Sequence, residues 1–189
     1  MKRVGVLALQ GDFEAHGKAV ERAGGTAIEV RTAEDLRGLD GLIIPGGEST
    51  TIGKLMTAYD LLGPLRRLAA EGFPIYGSCA GMILLADRVL GGTSDQVSVG
   101  GIDMTVRRNA FGRQVDSWEG DLDFGGEPVH GVFIRAPIIR RVGDGARVLA
   151  WYDGDPVLVE EGRHVVATFH PELSGDSRVH ELFLQKLNG

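Results

Sequence analysis

The first ninety residues alternate between short runs that are apolar throughout and longer stretches with helical spacing of apolar positions. VGVLAL (4–9), GLIIP (41–45) and FPIYG (73–77) read as strands without a polar face, and TAIEV (26–30) as a shorter one. Helical patterns fill 12–23, 49–67 with a break near Gly63-Pro64, and AGMILLADRVL (80–90). A strand that is apolar on both faces needs cover on both, which predicts a parallel sheet between two helical layers. From Val97 the texture changes to strand-like pieces joined by glycine turns: GIDMTV, DSWEGDLDF, VHGVFIRA, RVLAWY, PVLVEE and HVVATFH. The chain closes on DSRVHELFLQKL, an amphipathic helix with Asp176 and Ser177 as cap candidates. With neither repeats nor a linker, residues 1–189 are expected to form a single three-layer α/β domain with antiparallel additions to a mostly parallel sheet.

Composition narrows the partners. The 20 basic and 26 acidic residues give a net charge of −6, with no basic run, which argues against nucleic acid or an anionic membrane. No apolar stretch approaches the roughly 20 residues of a membrane span, and the N-terminal one, at six residues, is too short for a signal peptide. A lone cysteine cannot form an internal disulfide, so a cytoplasmic location is expected. The 29 glycines are dispersed among periodic segments and mark tight turns rather than disorder.

That cysteine, Cys79, sits in Gly77-Ser78-Cys79-Ala80-Gly81, where an apolar strand runs straight into a helix. A solitary cysteine is most often a small buried hydrophobe. A strand–turn–helix stripped of side chains is instead the layout of a nucleophile elbow, in which a strained turn exposes the reactive atom. Cys79 would then stand at a helix N-terminus, where dipole and free N–H groups favour a thiolate. The Ala80 N–H would face a developing oxyanion, and Gly81 would let the helix close on the sheet.

A thiol nucleophile needs a base and a group to orient it. Of five histidines, His16 and His180 fall in helical stretches and His130 and His164 in or beside strands, where packing or surface roles are expected. His170 ends an apolar strand and is followed by Pro171 and Glu172. Residues i and i+2 of extended backbone share a side, so Glu172 can lie against the His170 ring. Cys79 and His170 both follow apolar strands, and sites in doubly wound sheets form at the carboxyl ends of strands.

PGGESTTIGKL (45–55) is not a phosphate loop. Five residues rather than four separate Gly47 from Gly53, and Lys54 is followed by Leu55. Gly46-Gly47 can supply a second oxyanion N–H, while Glu48 and Ser49 can equally be simple helix caps.

Together these sites resemble the class I, triad-type glutamine amidotransferases. LQGDFEAH (9–16), PGGESTT (45–51), GSCAGMILLA (77–86), RNAFGRQVDS (108–117), GVFIRAP (131–137) and FHPEL (169–173) are similar to the branch serving pyridoxal 5′-phosphate synthesis. The resemblance implies a flavodoxin-like fold and a catalytic triad of Cys79, His170 and Glu172, with Gly47 and Ala80 as oxyanion donors. It implies that Gly47, Glu48, Ser49, Arg108, Ile134 and Arg135 bind L-glutamine; which group meets which charge of the substrate stays open. The sequence shows no nucleotide loop and no metal-ligand cluster, so neither cofactor nor metal is expected, and the resemblance implies a separate synthase subunit that takes the ammonia within a large hetero-oligomer. That partner is expected to set the Gly46-Gly47 loop, leaving the free subunit weakly active. The competing readings are the glutaminase subunit of another amidotransferase, a γ-glutamyl or cysteine hydrolase on the same fold, and a non-catalytic binding module.

Overall fold

The alternating first half folds as β1 (Arg3–Leu7), α1 (Phe13–Arg22), β2 (Thr26–Val30), β3 (Gly41–Ile44), α2 (Ser49–Ala58), α3 (Leu62–Ala70), β4 (Ile75–Ser78) and α4 (Ala80–Leu85). The second half adds β5 (Ala86–Leu90), β6 (Ile102–Arg107), β7 (Ser117–Phe124), β8 (Glu127–Ile134), β9 (Ile138–Val142), β10 (Arg147–Tyr152), β11 (Asp155–Glu161) and β12 (His164–Ala167), then α5 (Pro171–Ser174) and α6 (Arg178–Lys186). The computed structural model describes residues 1–108 and 117–189. Most of RNAFGRQVDS, and Asp116 at the head of the expected strand DSWEGDLDF, lie outside the described residues.

One sheet runs in the order β2-β1-β3-β4-β12-β11-β10-β7-β8, and β5-β6-β9 form a second. Strands β2, β1, β3, β4 and β12 are mutually parallel, and from β12 through β8 the pairing is antiparallel. The apolar runs are explained by two cores. Leu42, Ile44, Ile75 and Val166 face α2, α3 and α4, where they meet Ile52, Met56 and Leu65. Ile43, Tyr76 and Val165 face the opposite layer and meet Val20 of α1 and Val179 and Phe183 of α6. Burying each such Leu, Ile or Phe contributes about 1.5–3 kcal/mol.

The register places the chemistry. Ile44 pairs with Gly77 and Ala167 with Ser78, so β3, β4 and β12 end side by side. The loops that leave them carry Gly46-Gly47, Cys79 and His170. The Cys79 N–H donates to the Ala167 carbonyl at 2.8 Å, which ties the turn after β4 to the end of β12. Gly81 lets α4 start immediately: a Cβ there would lie 2.0 Å from the Ile44 carbonyl oxygen. Gly81→Ala must therefore push α4 off the sheet, and we expect about 1–3 kcal/mol of lost stability in chemical denaturation; an unchanged unfolding midpoint would contradict this packing.

Two expectations are corrected. The helix begun at Ala80 stops at Leu85, and 86–90 form β5 instead. The N–H groups of Val99 and Gly100 both donate to the Leu84 carbonyl, closing the helix from outside, and β6 draws the next residues into a sheet. The helix over 49–67 breaks at Tyr59–Leu61, where Asp60 takes φ 55°, and Gly63-Pro64 falls in the first turn of α3. Proline is tolerated there because first-turn N–H groups have no helical partner. Of the two cap candidates for α6, Asp176, through Oδ1, accepts the Arg178 N–H that begins the helix, while the Ser177 hydroxyl turns to Glu181. Strand β9 has no counterpart among the expected elements.

Candidate active site

Cys79 occupies the N-cap of α4 with φ 52° and ψ −103°. A side chain in that conformation costs about 1–3 kcal/mol, and such strain gathers at functional turns. The backbone holds it with bonds on both sides: Cys79 N–H to Ala167, and the Ile83 N–H to the Cys79 carbonyl. The Ala80 N–H, first in the helix, has no intrahelical acceptor. The thiol faces the Ile134 carbonyl at 3.9 Å.

A cavity of about 480 Å³ brings together Gly47, Glu48, Ser49, Cys79, Ala80, Arg108, Ile134, Arg135 and His170, with Glu172 behind His170. The His170 Nδ1 lies 2.6 Å from Glu172 Oε1. This proximity does not come from strand spacing. Pro171 opens the one-turn α5, and Glu172 reaches the ring from that helical turn. Asp12, at the start of α1, adds a second carboxylate 3.3 Å from the same nitrogen.

Burial works against protonation of His170, but hydrogen bonds to Asp12, Cys79 and Glu172 outweigh it and push the ring up to about 12. Burial pushes Glu172 upward; His170 pulls it back and Asp12 reinforces the rise, leaving it at about 8. Burial also opposes the charge on Asp12, yet its bonds to His170 and Glu172 hold it well below the usual carboxylate range. The Asp12 carboxylate and the Glu172 carboxyl thus embrace one imidazolium beside a thiol. That is the protonic equipment for thiol attack and for protonating a leaving amine.

The glycine loop is oriented by its neighbours. The Gly46 carbonyl accepts the Asp12 N–H at 3.1 Å, and the peptide is trans, which turns the Gly47 N–H to the opposite side. The Glu48 N–H is taken by Gln10 Oε1 at 2.9 Å. Between these two amides, Gly47 carries the one without a partner in the loop itself.

Glu48 is the N-cap of α2, accepting from the Thr50 and Thr51 N–H groups. Burial opposes its ionisation, but the Thr51 and Thr50 bonds and the Arg108 charge keep it below the ordinary range. Arg108 donates to Glu48 Oε1 at 2.8 Å, Thr50 Oγ1 at 2.7 Å and Gln96 Oε1 at 2.6 Å. These bonds lock it into the cavity wall. Ser49 is buried, and its hydroxyl donates to Gln96.

Sequence reasoning missed Gln10, Asp12 and Gln96. His16 and His180 pack as expected, and they do so directly behind the triad, which the sequence did not indicate: the His16 Nε2 lies 3.4 Å from Glu172 Oε2. The available signal was the i, i+4 spacing of Asp12 and His16 on one face of α1. His130, exposed against Glu119 and Asp121, and His164, buried against the Ala69 carbonyl, take the surface and packing roles expected of them. Asp12, His16 and Glu172 are, among the described residues, the one group of three with ligand-type atoms within 4.8 Å of one another. Both carboxylates in it already serve His170, so the donor set suits an imidazolium.

Fold and site define an α/β protein with a cysteine–histidine–acid arrangement at the carboxyl edge of a parallel sheet. The chain belongs to the SNO glutamine amidotransferase family, which it matches over residues 6–188. It is 56% identical to the pyridoxal 5′-phosphate synthase subunit PdxT of Mycobacteroides abscessus, over 96% of this chain and 95% of that one. It is 54% identical to the PdxT of Kineococcus radiotolerans, over 96% and 92% respectively. A crystal structure of a glutamine amidotransferase superposes with a TM-score of 0.92 at 49% identity, covering 98% of this chain and 99% of the other.

Proposed function

We propose that this chain is the glutaminase subunit of a pyridoxal 5′-phosphate synthase, acting as one glutaminase domain over residues 1–189. The observation that carries this reading is the convergence of Cys79, His170 and the Gly46-Gly47 loop on one cavity, with Glu172 bonded to His170. The family and the names of the similar proteins supply the substrate and the pathway.

The Cys79 sulfur attacks the carboxamide carbon of L-glutamine, and the Gly47 and Ala80 N–H groups receive the oxyanion. The His170 imidazolium gives its proton to the departing nitrogen, so ammonia leaves and a γ-glutamyl thioester remains. Neutral His170 then takes a proton from water as it attacks the thioester, which releases L-glutamate and restores the thiol. Glu172 keeps the imidazole oriented and balances its charge through both steps. Gly47, Glu48, Ser49, Arg108, Ile134 and Arg135 bind the substrate, with the Glu48–Arg108 pair as the polar wall for its amino-acid end. No cofactor or metal takes part.

Ammonia is protonated in water, so it is handed directly to a separate synthase subunit, in a large cytoplasmic hetero-oligomer free of nucleic acid and membrane. Among the described residues, no helix is long and apolar enough to cross a membrane. Docking of the synthase secures the Gly46-Gly47 peptide that Asp12 and Gln10 hold here.

The test is ammonia release from glutamine, with and without the synthase subunit. We expect turnover that rises on adding the synthase. Absence of glutamine hydrolysis in both conditions would refute the reading. Activation by a different amidotransferase partner would reassign the pathway, and cleavage of γ-glutamyl peptides but not free glutamine would point to a hydrolase.

A further inference from the structure

We propose that His16 is a positioning residue for the triad: its Nε2–H holds the second carboxylate oxygen of Glu172, and His180 fixes the tautomer that makes this possible. The inference deepens the glutaminase reading and rests on the roles given there to His170 and Glu172. Glu172 is buried, and its Oε1 is occupied by His170. Its Oε2 is buried without a conventional hydrogen bond, and so is the His16 Nε2, 3.4 Å away. Asp12 Oδ1 is likewise without a hydrogen bond, but at 3.9 Å from the same nitrogen it is the farther acceptor, and Glu172 Oε2 is the nearer.

The direction of the proton follows from the neighbours. The His16 Nδ1 and His180 Nε2 are 3.0 Å apart, so one of them donates. Both rings are buried, and burial lowers His16 to about 4 against the pull of Asp12, so it is neutral and has one donor and one acceptor. With Glu172 ionised, as it must be to balance the His170 imidazolium, a His16 that donated from Nδ1 would turn its Nε2 lone pair toward Glu172 Oε2 and, at 3.9 Å, Asp12 Oδ1. His180 would then strand a proton on Nδ1, which is buried without a partner. The reverse arrangement removes both conflicts. His180 Nε2–H donates to His16 Nδ1, and His16 Nε2–H donates to Glu172 Oε2. Only a lone pair is left unpaired, on His180 Nδ1.

The rings are held in this alignment by Tyr76, whose ring meets His16 and His180 edge-on at 5.8 and 5.5 Å between centroids. A connected chain therefore links His180, His16, Glu172, His170 and Cys79, with Glu172 accepting from the histidine on either side. Its effect is on charge. The groups facing His16 are Asp12 on its own helix, Glu172 and His170 around α5, His180 on α6 and Tyr76 on β4. The half-buried Asp12 and the buried Glu172 compete for one imidazolium, and a donor on Glu172 Oε2 favours its ionised form. Without that donor Glu172 holds a proton to higher pH, His170 keeps its own less firmly, and the thiolate–imidazolium pair forms only at higher pH.

The experiment has two arms. In the wild-type protein, long-range ¹H–¹⁵N spectra of the imidazoles should show His16 and His180 both protonated on Nε2; protonation of either on Nδ1 alone would overturn the proposal. In the second arm, His16→Asn places its amide near the Nδ1 position, toward His180, whereas His16→Gln places it near Nε2, toward Glu172. His16→Asn should lower kcat for glutamine about tenfold with KM unchanged, and slow alkylation of Cys79 by iodoacetamide at neutral pH about tenfold, as for a shift of one pH unit. His16→Gln should recover most of both. Equal losses in the two variants, tracking their thermal unfolding, would mean packing alone and overturn the proposal. Because alkylation needs no substrate, a protein that fails to hydrolyse glutamine yet shows the alkylation contrast would refute the glutaminase reading and leave the positioning role standing.

Discussion

Cys79→Ala is expected to lower glutamine turnover about 10⁶-fold, the scale on which loss of a covalent nucleophile acts, while glutamine still binds. The substitution removes the one atom that can form the thioester and leaves the rest of the cavity lining in place. Binding measured by calorimetry should persist, since Glu48, Ser49, Arg108 and the oxyanion loop keep their hydrogen bonds. The same position allows a sharper test. Alanine inherits the φ of 52° and ψ of −103° and thus the strain of the turn. Glycine does not, at the cost of about 0.5–1 kcal/mol in chain entropy. With strain of about 1–3 kcal/mol to release, Cys79→Gly should be equally inactive but about 1 kcal/mol more stable than Cys79→Ala in urea denaturation. Residual turnover near wild type in either variant would exclude Cys79 as the nucleophile. Equal stability of the two would deny the strain.

Gly47→Ala is expected to lower kcat about 10²- to 10³-fold, the cost of losing one oxyanion donor, with a smaller change in KM. A Cβ at Gly47 would lie 2.5 Å from Gln10 Oε1 and 3.0 Å from the Gly11 Cα, at a φ of 157°. The Gln10 amide can move, but the Gly11 backbone cannot without disturbing the turn that leads to Asp12. The peptide must rotate, and the Gly47 N–H rotates with it. The donor matters more in the transition state than for the bound amide, so kcat carries the loss. The defect should persist with the synthase present, because the obstruction is inside this chain. Wild-type kcat in Gly47→Ala would show that the oxyanion is received elsewhere.

How far the sequence reaches can be judged from particular residues. Runs such as GLII and IYGS are apolar on both faces, which is a local property, and they were readable as parallel strands between helical layers. Cys79 and His170 were readable for the same reason: each directly follows such a run, and strand ends in this kind of sheet lie along one edge. The apolar run after Cys79 was not readable, because an apolar stretch suits a buried helix and a buried strand alike. Its change from α4 to β5 at Ala86 is decided by the pairing with β6 and by Val99 and Gly100 capping Leu84 from outside the helix.

The back of the site was hidden for a stronger reason. Asp12 meets His170 across 158 positions, and His16 meets His180 across 164. No periodicity links residues at such distances. They meet because β1 and β12 flank β3 and β4 in one sheet, with α1 and the segment through α6 on the same face. Local pattern determined the strands, the elbow and the identity of nucleophile and base. Strand order alone decided that a second carboxylate and two buried histidines stand behind them, since hydrogen bonds act over about 3 Å and only the folded sheet brings those groups that close.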